Sequence, residues 1–110
     1  MEEEKQHIAV GRRKEAIARV ILKPGSGNIT INDVSFADYF RTINAQVRVQ
    51  EPLRVAGLLD KFDVRANVRG GGITGQAEAV SLGVARFLEH LNPELRPLLK
   101  RQGFLSRDPR

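Results

Sequence analysis

The sequence is 110 residues long, which is enough for one domain with one hydrophobic core. Apolar residues make up 41% and charged residues 28%, an ordinary globular composition that excludes a disordered or collagen-like chain and contains no membrane-spanning run. Cysteine is absent, which excludes disulfides and thiol chemistry, and the acidic start at residues 1–4 is unlike a targeting segment, so a soluble cytosolic protein is expected.

The charge balance is basic. Lys and Arg number 18 against 13 acidic residues, a net charge of +5. Most of the cations are arginine, whose planar fork fits phosphate and stacks on bases, so the composition favours a nucleic-acid partner. The alternative at this point is a soluble domain that happens to be basic.

The first third of the chain predicts strands. Residues 8–10 form a short apolar strand, which the charged run Gly11-Arg12-Arg13-Lys14 interrupts. Apolar residues then alternate from Ala16 to Lys23, and again over residues 28–32 after the turn signal at 24–27. Residues 16–32 therefore predict a β-hairpin with a four-residue connection.

The rest of the chain predicts helices around one further strand. Ser35 can cap a short helix, residues 41–50 have no clear period, and Glu51-Pro52 is predicted to open a helix. Residues 62–69 alternate as a strand, residues 75–91 carry a helical apolar stripe, and Asn92-Pro93 begins a last short helix that ends at Gly103.

This order predicts an α+β fold. Each element has one apolar face, so the economical arrangement is a two-layer α/β sandwich, with a four-stranded sheet, helices on one face and the order β-β-β-α-β-α. The chain is expected to be a single RNA-binding domain over residues 1–110. Residues 1–7 are expected to be an N-terminal extension and residues 102–110 a basic C-terminal segment.

The basic residues are predicted to form one surface. Arg12, Arg13 and Lys14 are adjacent at a strand end or loop, where nearby phosphates would relieve their repulsion. If the strands share a sheet, their polar faces add Arg19, Lys23, Arg65 and Arg69 and make a basic surface opposite the helices. The C-terminal segment repeats the basic bias with Lys100, Arg101, Arg107 and Arg110. The alternatives are a solvated charged face and a loosely ordered tail. Aromatic residues are few and fit the core, so binding is expected to use phosphates and RNA shape.

The glycine-rich run 70–75 matches G-x-G-x-x-G between a predicted strand and a predicted helix. Two interpretations stay open: an RNA backbone approaches the bare amides, or the glycines permit a tight strand-to-helix crossing. A nucleotide-binding enzyme is the weaker alternative. The helix is followed by more helical pattern rather than a second parallel strand, and Gln76-Ala77 stands where a phosphate loop needs Lys-Ser/Thr.

The sequence predicts no catalytic residue, no metal site and no cofactor. His7 and His90 have no acidic partner at a spacing typical of a triad or of metal ligands.

Several short motifs together resemble one family. They are Gly11-Arg12-Arg13-Lys14, Ala18-Arg19-Val20, Lys23-Pro24-Gly25, Gly70-Gly71-Gly72 with Gly75-Gln76, and Gly103-Phe104-Leu105-Ser106-Arg107-Asp108. Their order and spacing resemble the universal small-subunit ribosomal protein S-nine family of bacterial type, over nearly the whole chain.

The resemblance implies a non-enzymatic protein that binds small-subunit ribosomal RNA in the head, beside neighbouring ribosomal proteins. It also implies a left-handed crossover, an exception to the usual handedness. The RNA-facing parts of the family correspond here to Gly11–Lys14, Gly70, Gly71, Gly72 and Gln76, and residues 100–110. The family usually continues into a basic tail that reaches transfer RNA; this sequence stops at Arg110, which leaves a transfer-RNA contact in doubt. A basic protein-interaction module is the remaining alternative.

Overall fold

The computed structural model describes residues 7–104 and contains one mixed five-stranded sheet. The strands are β1 (Ala9–Arg13), β2 (Ala16–Pro24), β3 (Ile29–Ile31), β4 (Val34–Ser35) and β5 (Phe62–Arg69), in the spatial order β1-β2-β5-β3-β4. The expected α+β class is confirmed. The predicted count of four strands is wrong, because Val34 and Ser35 pair antiparallel with the end of β3.

The predicted hairpin over residues 16–32 is also wrong. β5 lies between β2 and β3, antiparallel to the first and parallel to the second. The turn after β2 wraps around the start of β5: the N–H of Gly25 donates to the Lys61 carbonyl at 2.9 Å, and the N–H of Val64 donates to the Asn28 carbonyl at 2.8 Å. The hairpins that do form are β1–β2 and β3–β4, each closed by two residues.

The charged run at residues 11–14 does not interrupt the first strand. Gly11, Arg12 and Arg13 continue β1, and their partners on β2 are Ala18, Ile17 and Ala16. Lys14 alone leaves the strand, with a φ of 58° at the turn. Because neighbouring strand residues point to opposite faces, Arg12 and Arg13 are separated by the sheet itself.

The helices are α1 (Phe36–Tyr39), α2 (Ile43–Val55), α3 (Ile73–Leu91) and α4 (Arg96–Arg101), with a 3-10 turn at Pro93–Leu95. The predicted helices near residues 35, 75 and 92 are confirmed, and the Asn92 side chain accepts from the N–H of Glu94 as its capping signature predicts. The side chain of Ser35, in contrast, makes no capping hydrogen bond.

The second helix begins earlier than predicted. Thr42 is its N-cap and accepts from the N–H of Ala45 at 3.3 Å, so Pro52 lies inside the helix rather than at its first position. Proline has no N–H for the carbonyl four residues earlier, and α2 ends three residues after it, at Val55. The sequence of this helix has no clear apolar period before Glu51, and burial of Val49 and Leu53 in the core stabilises it instead.

The core lies between the sheet and α3, which packs on β1, β2 and β5, with α2 packed beside it. Two glycines allow the sheet and α3 to approach each other closely. A Cβ on Gly11 would lie 2.0 Å from the Ala79 carbonyl oxygen, and a Cβ on Gly83 would lie 2.6 Å from Cγ2 of Val20. Both residues are buried, so the absence of side chains here lets β1 and α3 touch backbone to backbone.

None of the helices within residues 7–104 is long and apolar enough to cross a bilayer.

Candidate nucleic-acid interface

The face of the sheet opposite α3 collects the strand cations in cross-strand rows. Arg12, Ile17 and Arg69 are partners in one row across β1, β2 and β5. Val10, Arg19 and Asn67 form the next row, and Ile21, Arg65 and Thr30 the third. Since strands lie about 4.8 Å apart, Arg12 and Arg69 begin about 10 Å from each other with an isoleucine between them. We call this surface the open face.

The cations of the open face are largely without counter-charges. Within residues 7–104, Arg12, Arg19 and Arg69 are exposed and make no ion pair. Arg65 approaches the exposed Asp33 at 3.6 Å, a pair that solvent screens. A shallow depression of about 380 Å³ lies among Arg12, Arg19 and Arg69. Strands predicted separately thus contribute to one positive surface.

Lys23 lies at the far end of the same face, exposed and in register with Asp63. The Asp63 carboxylate turns to the chain after β2 instead, where Oδ1 accepts from the N–H groups of Asn28, Ser26 and Gly27 at 2.9, 3.0 and 3.1 Å. The N–H of Asn28 makes the largest contribution to lowering the pKa of the Asp63 carboxyl, and the other two N–H donors lower it further. The carboxylate anchors this turn to β5.

Arg13 and Lys14 lie on the helical side. Arg13 Nε donates to Glu78 Oε1 on α3 at 3.1 Å, and Lys14 Nζ lies 4.0 Å from the same oxygen. Arg48 on α2 approaches Glu78 Oε2 at 3.9 Å. The predicted cluster of adjacent cations is therefore divided: Arg12 belongs to the open face, while Arg13 and Lys14 surround a half-buried carboxylate.

The glycine loop follows the end of β5 and packs on the β1–β2 turn. Gly70 and Gly71 have φ angles of 82° and 67°, which L side chains rarely adopt. A Cβ on Gly70 would lie 2.4 Å from the Glu15 carbonyl oxygen, so the tight crossing explains this glycine. Gly72 differs: it is exposed, precedes α3 as its N-cap, and a Cβ there would meet nothing within 4 Å.

Gln76, predicted as an RNA contact, has both ends of its side-chain amide engaged inside the protein. Oε1 accepts from the Tyr39 hydroxyl at 2.9 Å, and Nε2 donates to the Gly70 carbonyl at 3.1 Å. Gly11 is buried beneath the open face, where it makes the contact with α3 described above. Both residues thus support the surface from within.

The C-terminal cations are only partly described. Lys100 and Arg101 are exposed on α4, whose Leu99 is buried. Gly103 and Phe104 then line a small cavity of about 40 Å³ together with Arg13 and Glu78, so the chain turns back toward the helical side of the β1–β2 turn. Arg107 and Arg110 lie outside the described residues.

Sequence reasoning missed Glu78, Asp63 and the Tyr39–Gln76 pair. Each works through a partner more than 30 residues away in the chain. The one available signal was that Glu78 is one of only two acidic residues in α3 of a basic chain.

The two histidines are neighbours. The rings of His7 and His90 stack with centroids 3.7 Å apart, and burial, together with the His90 charge, lowers the pKa of His7. Between residues 7 and 104 there is no group of three or more His or acidic side chains placed to hold a metal ion. After α3 the same part of the chain continues as helix, without the further strand of a dinucleotide fold.

Comparison with known proteins gives one consistent result. The profile described as ribosomal protein S9/S16 matches residues 11–110. The small ribosomal subunit protein uS9 of Desulfovibrio desulfuricans is 52% identical over 97% of this chain and 82% of its own length. That of Anaeromyxobacter sp. is 50% identical over 94% and 80%, and that of Thermus thermophilus 49% over 96% and 82%. On this match and these relatives, the resemblance seen in the basic and glycine motifs is confirmed, and the chain belongs to the ribosomal protein S9/S16 family.

Proposed function

We propose that this chain is a structural, non-catalytic constituent of the small ribosomal subunit, and that it binds small-subunit ribosomal RNA through phosphate contacts. The observation that carries the proposal is the open face, where Arg12, Arg19 and Arg69 stand together without ion-pair partners in the described structure. Family membership supports the ribosomal assignment.

The open face suits a phosphate backbone better than base edges. Its arginines alternate with half-buried aliphatic side chains, Val10, Ile17 and Ile21, which offer no stacking surface. Guanidinium groups bind phosphate oxygens in pairs of hydrogen bonds and release condensed counterions as they do so. Binding of this kind depends on RNA shape and charge more than on sequence.

The glycine loop adds a place for close approach at the edge of this surface. Gly71 and Gly72 are exposed, and Gly72 has open space around its Cα. Gly72 stands at the start of the 19-residue helix α3, whose first backbone N–H groups have no partner within the helix, and such groups suit a phosphate. Lys14 lies beside Gly75 in the first turn of α3 and extends the positive charge to this edge of the open face.

The family resemblance supplies the finer parts of the proposal. They are a place in the head of the subunit within the bacterial cytoplasm, contacts with neighbouring ribosomal proteins, a single RNA-binding domain, and a two-layer fold with a left-handed crossover from β3 to β5. Lys100 and Arg101, followed by Arg107 and Arg110, would extend the RNA contact beyond the sheet.

The salt dependence of RNA binding tests the proposal. We expect the affinity for small-subunit ribosomal RNA, measured by filter binding at several KCl concentrations, to fall with a log–log slope of about −4 to −5 if about six phosphates are engaged. Changing Arg12, Arg19 and Arg69 together to Gln should weaken binding and reduce the magnitude of the slope by about 2 to 3, since each lost phosphate contact removes roughly 0.7 to 0.9.

A matched variant controls for net charge. Arg41, Arg54 and Lys61 are exposed cations outside the sheet strands, and their change to Gln removes the same charge. It should leave the slope close to that of the wild type. An affinity independent of salt, or an equal effect of the two triple variants, would refute binding through the open face.

A further inference from the structure

We infer that Gln76 and Tyr39 are positioning residues that hold the glycine loop in the conformation it presents to RNA. The inference deepens the proposed function and rests on it for the RNA part alone, because the loop's order can be measured in the free protein. It assigns Gln76 a role inside the protein, whereas the family resemblance places this residue among those that face RNA.

A continuous chain of hydrogen bonds links the end of β3 to the loop. Asn32 exchanges two bonds with the backbone of Val68, donating to its carbonyl at 3.1 Å and accepting from its N–H at 2.9 Å. Asn32 Nδ2 also lies 3.4 Å from the Tyr39 hydroxyl, which donates to Gln76 Oε1 at 2.9 Å. Gln76 Nε2 completes the chain at the Gly70 carbonyl, 3.1 Å away.

Gln76 holds the loop at both ends. Its backbone N–H donates to the Gly72 carbonyl at 2.9 Å, and its side-chain amide donates to the Gly70 carbonyl. Gly71 lies between these two anchored carbonyls. One residue of α3 therefore fixes the direction of the peptide group between Gly70 and Gly71 and of the one between Gly72 and Ile73.

The loop needs such a restraint because of its composition. Three consecutive glycines lose more conformational freedom on ordering than any other tripeptide, and two of them adopt positive φ angles. Without the Gln76 amide, the Gly70 carbonyl loses its only side-chain partner in the described structure. A loop that samples several conformations binds a phosphate backbone more weakly, since part of the binding energy is lost in ordering it.

A change at Tyr39 tests the inference independently of Gln76. Its hydroxyl contacts Gln76 and Asn32, and its ring packs edge-on against Phe40 at 4.9 Å, so Tyr39→Phe removes the hydrogen bond and keeps the packing. If Tyr39 acts through Gln76, Tyr39→Phe should cause no further loss of loop order in a protein that already carries Gln76→Met.

The experiment compares Gln76→Met, Tyr39→Phe and the double variant with Gln50→Met. Gln50 is a half-buried glutamine on α2 whose side chain makes no hydrogen bond within residues 7–104, and it serves as the matched control. The heteronuclear ¹⁵N NOE of the Gly70, Gly71 and Gly72 amides is measured in the free protein, and RNA affinity is measured at several salt concentrations.

We expect Gln76→Met to lower the NOE at these amides and weaken RNA binding about three- to tenfold, the usual effect of one or two hydrogen bonds. The salt slope should stay that of the wild type, because no cation is lost. Tyr39→Phe should act in the same direction, the double variant should match Gln76→Met, and Gln50→Met should change neither measurement.

The outcomes separate this inference from its premise. Unchanged NOE values in Gln76→Met would overturn it, whether or not the protein binds RNA. Weaker binding in Gln76→Met with a rigid loop and a silent Tyr39→Phe would show that Gln76 contacts RNA directly, which also overturns it. A disordered loop in a protein that never binds RNA would refute the proposed function and leave Gln76 as the residue that orders the loop.

Discussion

Substitution of Gly11 by alanine tests whether this glycine serves the packing of β1 on α3. An added Cβ would lie 2.0 Å from the Ala79 carbonyl oxygen and 2.6 Å from the Gly83 nitrogen. Both atoms belong to the backbone of α3, so no side chain can rotate away to make room. The helix or the strand itself must move.

The size of the required movement sets the expected cost. The nearest contact is about 1.4 Å shorter than an ordinary van der Waals distance. A shift of that size opens a gap along the interface where Ala18, Val20 and Val84 are fully buried, and a gap of 0.5–1 Å already removes a quarter to a half of a dispersion contact. Overpacking typically costs about 1–3 kcal/mol, and an immovable backbone partner places Gly11→Ala at or above about 3 kcal/mol.

Urea unfolding followed by circular dichroism measures this cost. The control is Gly75→Ala in the first turn of the same helix, where the added Cβ would lie 3.5 Å from the Arg13 carbonyl oxygen, an ordinary van der Waals contact. We expect the control to be neutral or to stabilise by about 0.5–1 kcal/mol, as alanine usually does in a helix. A Gly11→Ala protein within 0.5 kcal/mol of the wild type would refute the packing argument and return Gly11 to the candidate RNA contacts.

Three further predictions concern the turns and the N-terminal end of the described chain. Thr42→Ala should lower the free energy of unfolding by about 1 kcal/mol in urea denaturation through loss of the N-cap of α2, and Thr42→Ser should retain it. Backbone donors lower the pKa of the Asp63 carboxyl from its ordinary 3.8, so the stabilisation by the carboxylate is present above pH 3.8 and is lost as the pH falls through the lower folded pKa. The melting temperature of Asp63→Asn should therefore fall less at acid pH than that of the wild type, and equal pH profiles of the two proteins would contradict this. The pKa of His7 is lowered from 6.5 by burial and by the charge of His90, so the folded state should lose stability as the pH falls from 6.5 to that lower value. An NMR titration of the two stacked rings measures the pKa of His7, and a value of 6.5 there would refute this prediction.

Several features of the fold could be read from local pattern. The alternation in β2 and β5 identified which side chains enter the core, and the helical period identified α3 to within two residues. These are local properties, because a strand repeats every two residues and a helix every 3.6 whatever lies beside them. The family resemblance likewise rested on motifs that can be read without knowing the fold.

The α2 helix shows where local pattern fails. Its first half has no clear apolar period, and Pro52 resembles a helix start, yet the chain is helical from Ile43. The Thr42 cap and the burial of Ala45 and Val49 against the rest of the core stabilise this half. Tertiary packing there outweighs both the weak period and the proline.

By itself, the sequence determined that cations line the polar sides of β2 and β5 and that glycines follow β5, since both are matters of spacing along the chain. Only the tertiary structure decided that β5 inserts between β2 and β3, which brings Arg69 into the same row as Arg12, and that Arg13 turns to Glu78 while Arg12 remains exposed. Strand order and ion pairing depend on contacts between residues far apart in the chain. Their energies are settled by how the layers pack together, and no local repeat records them.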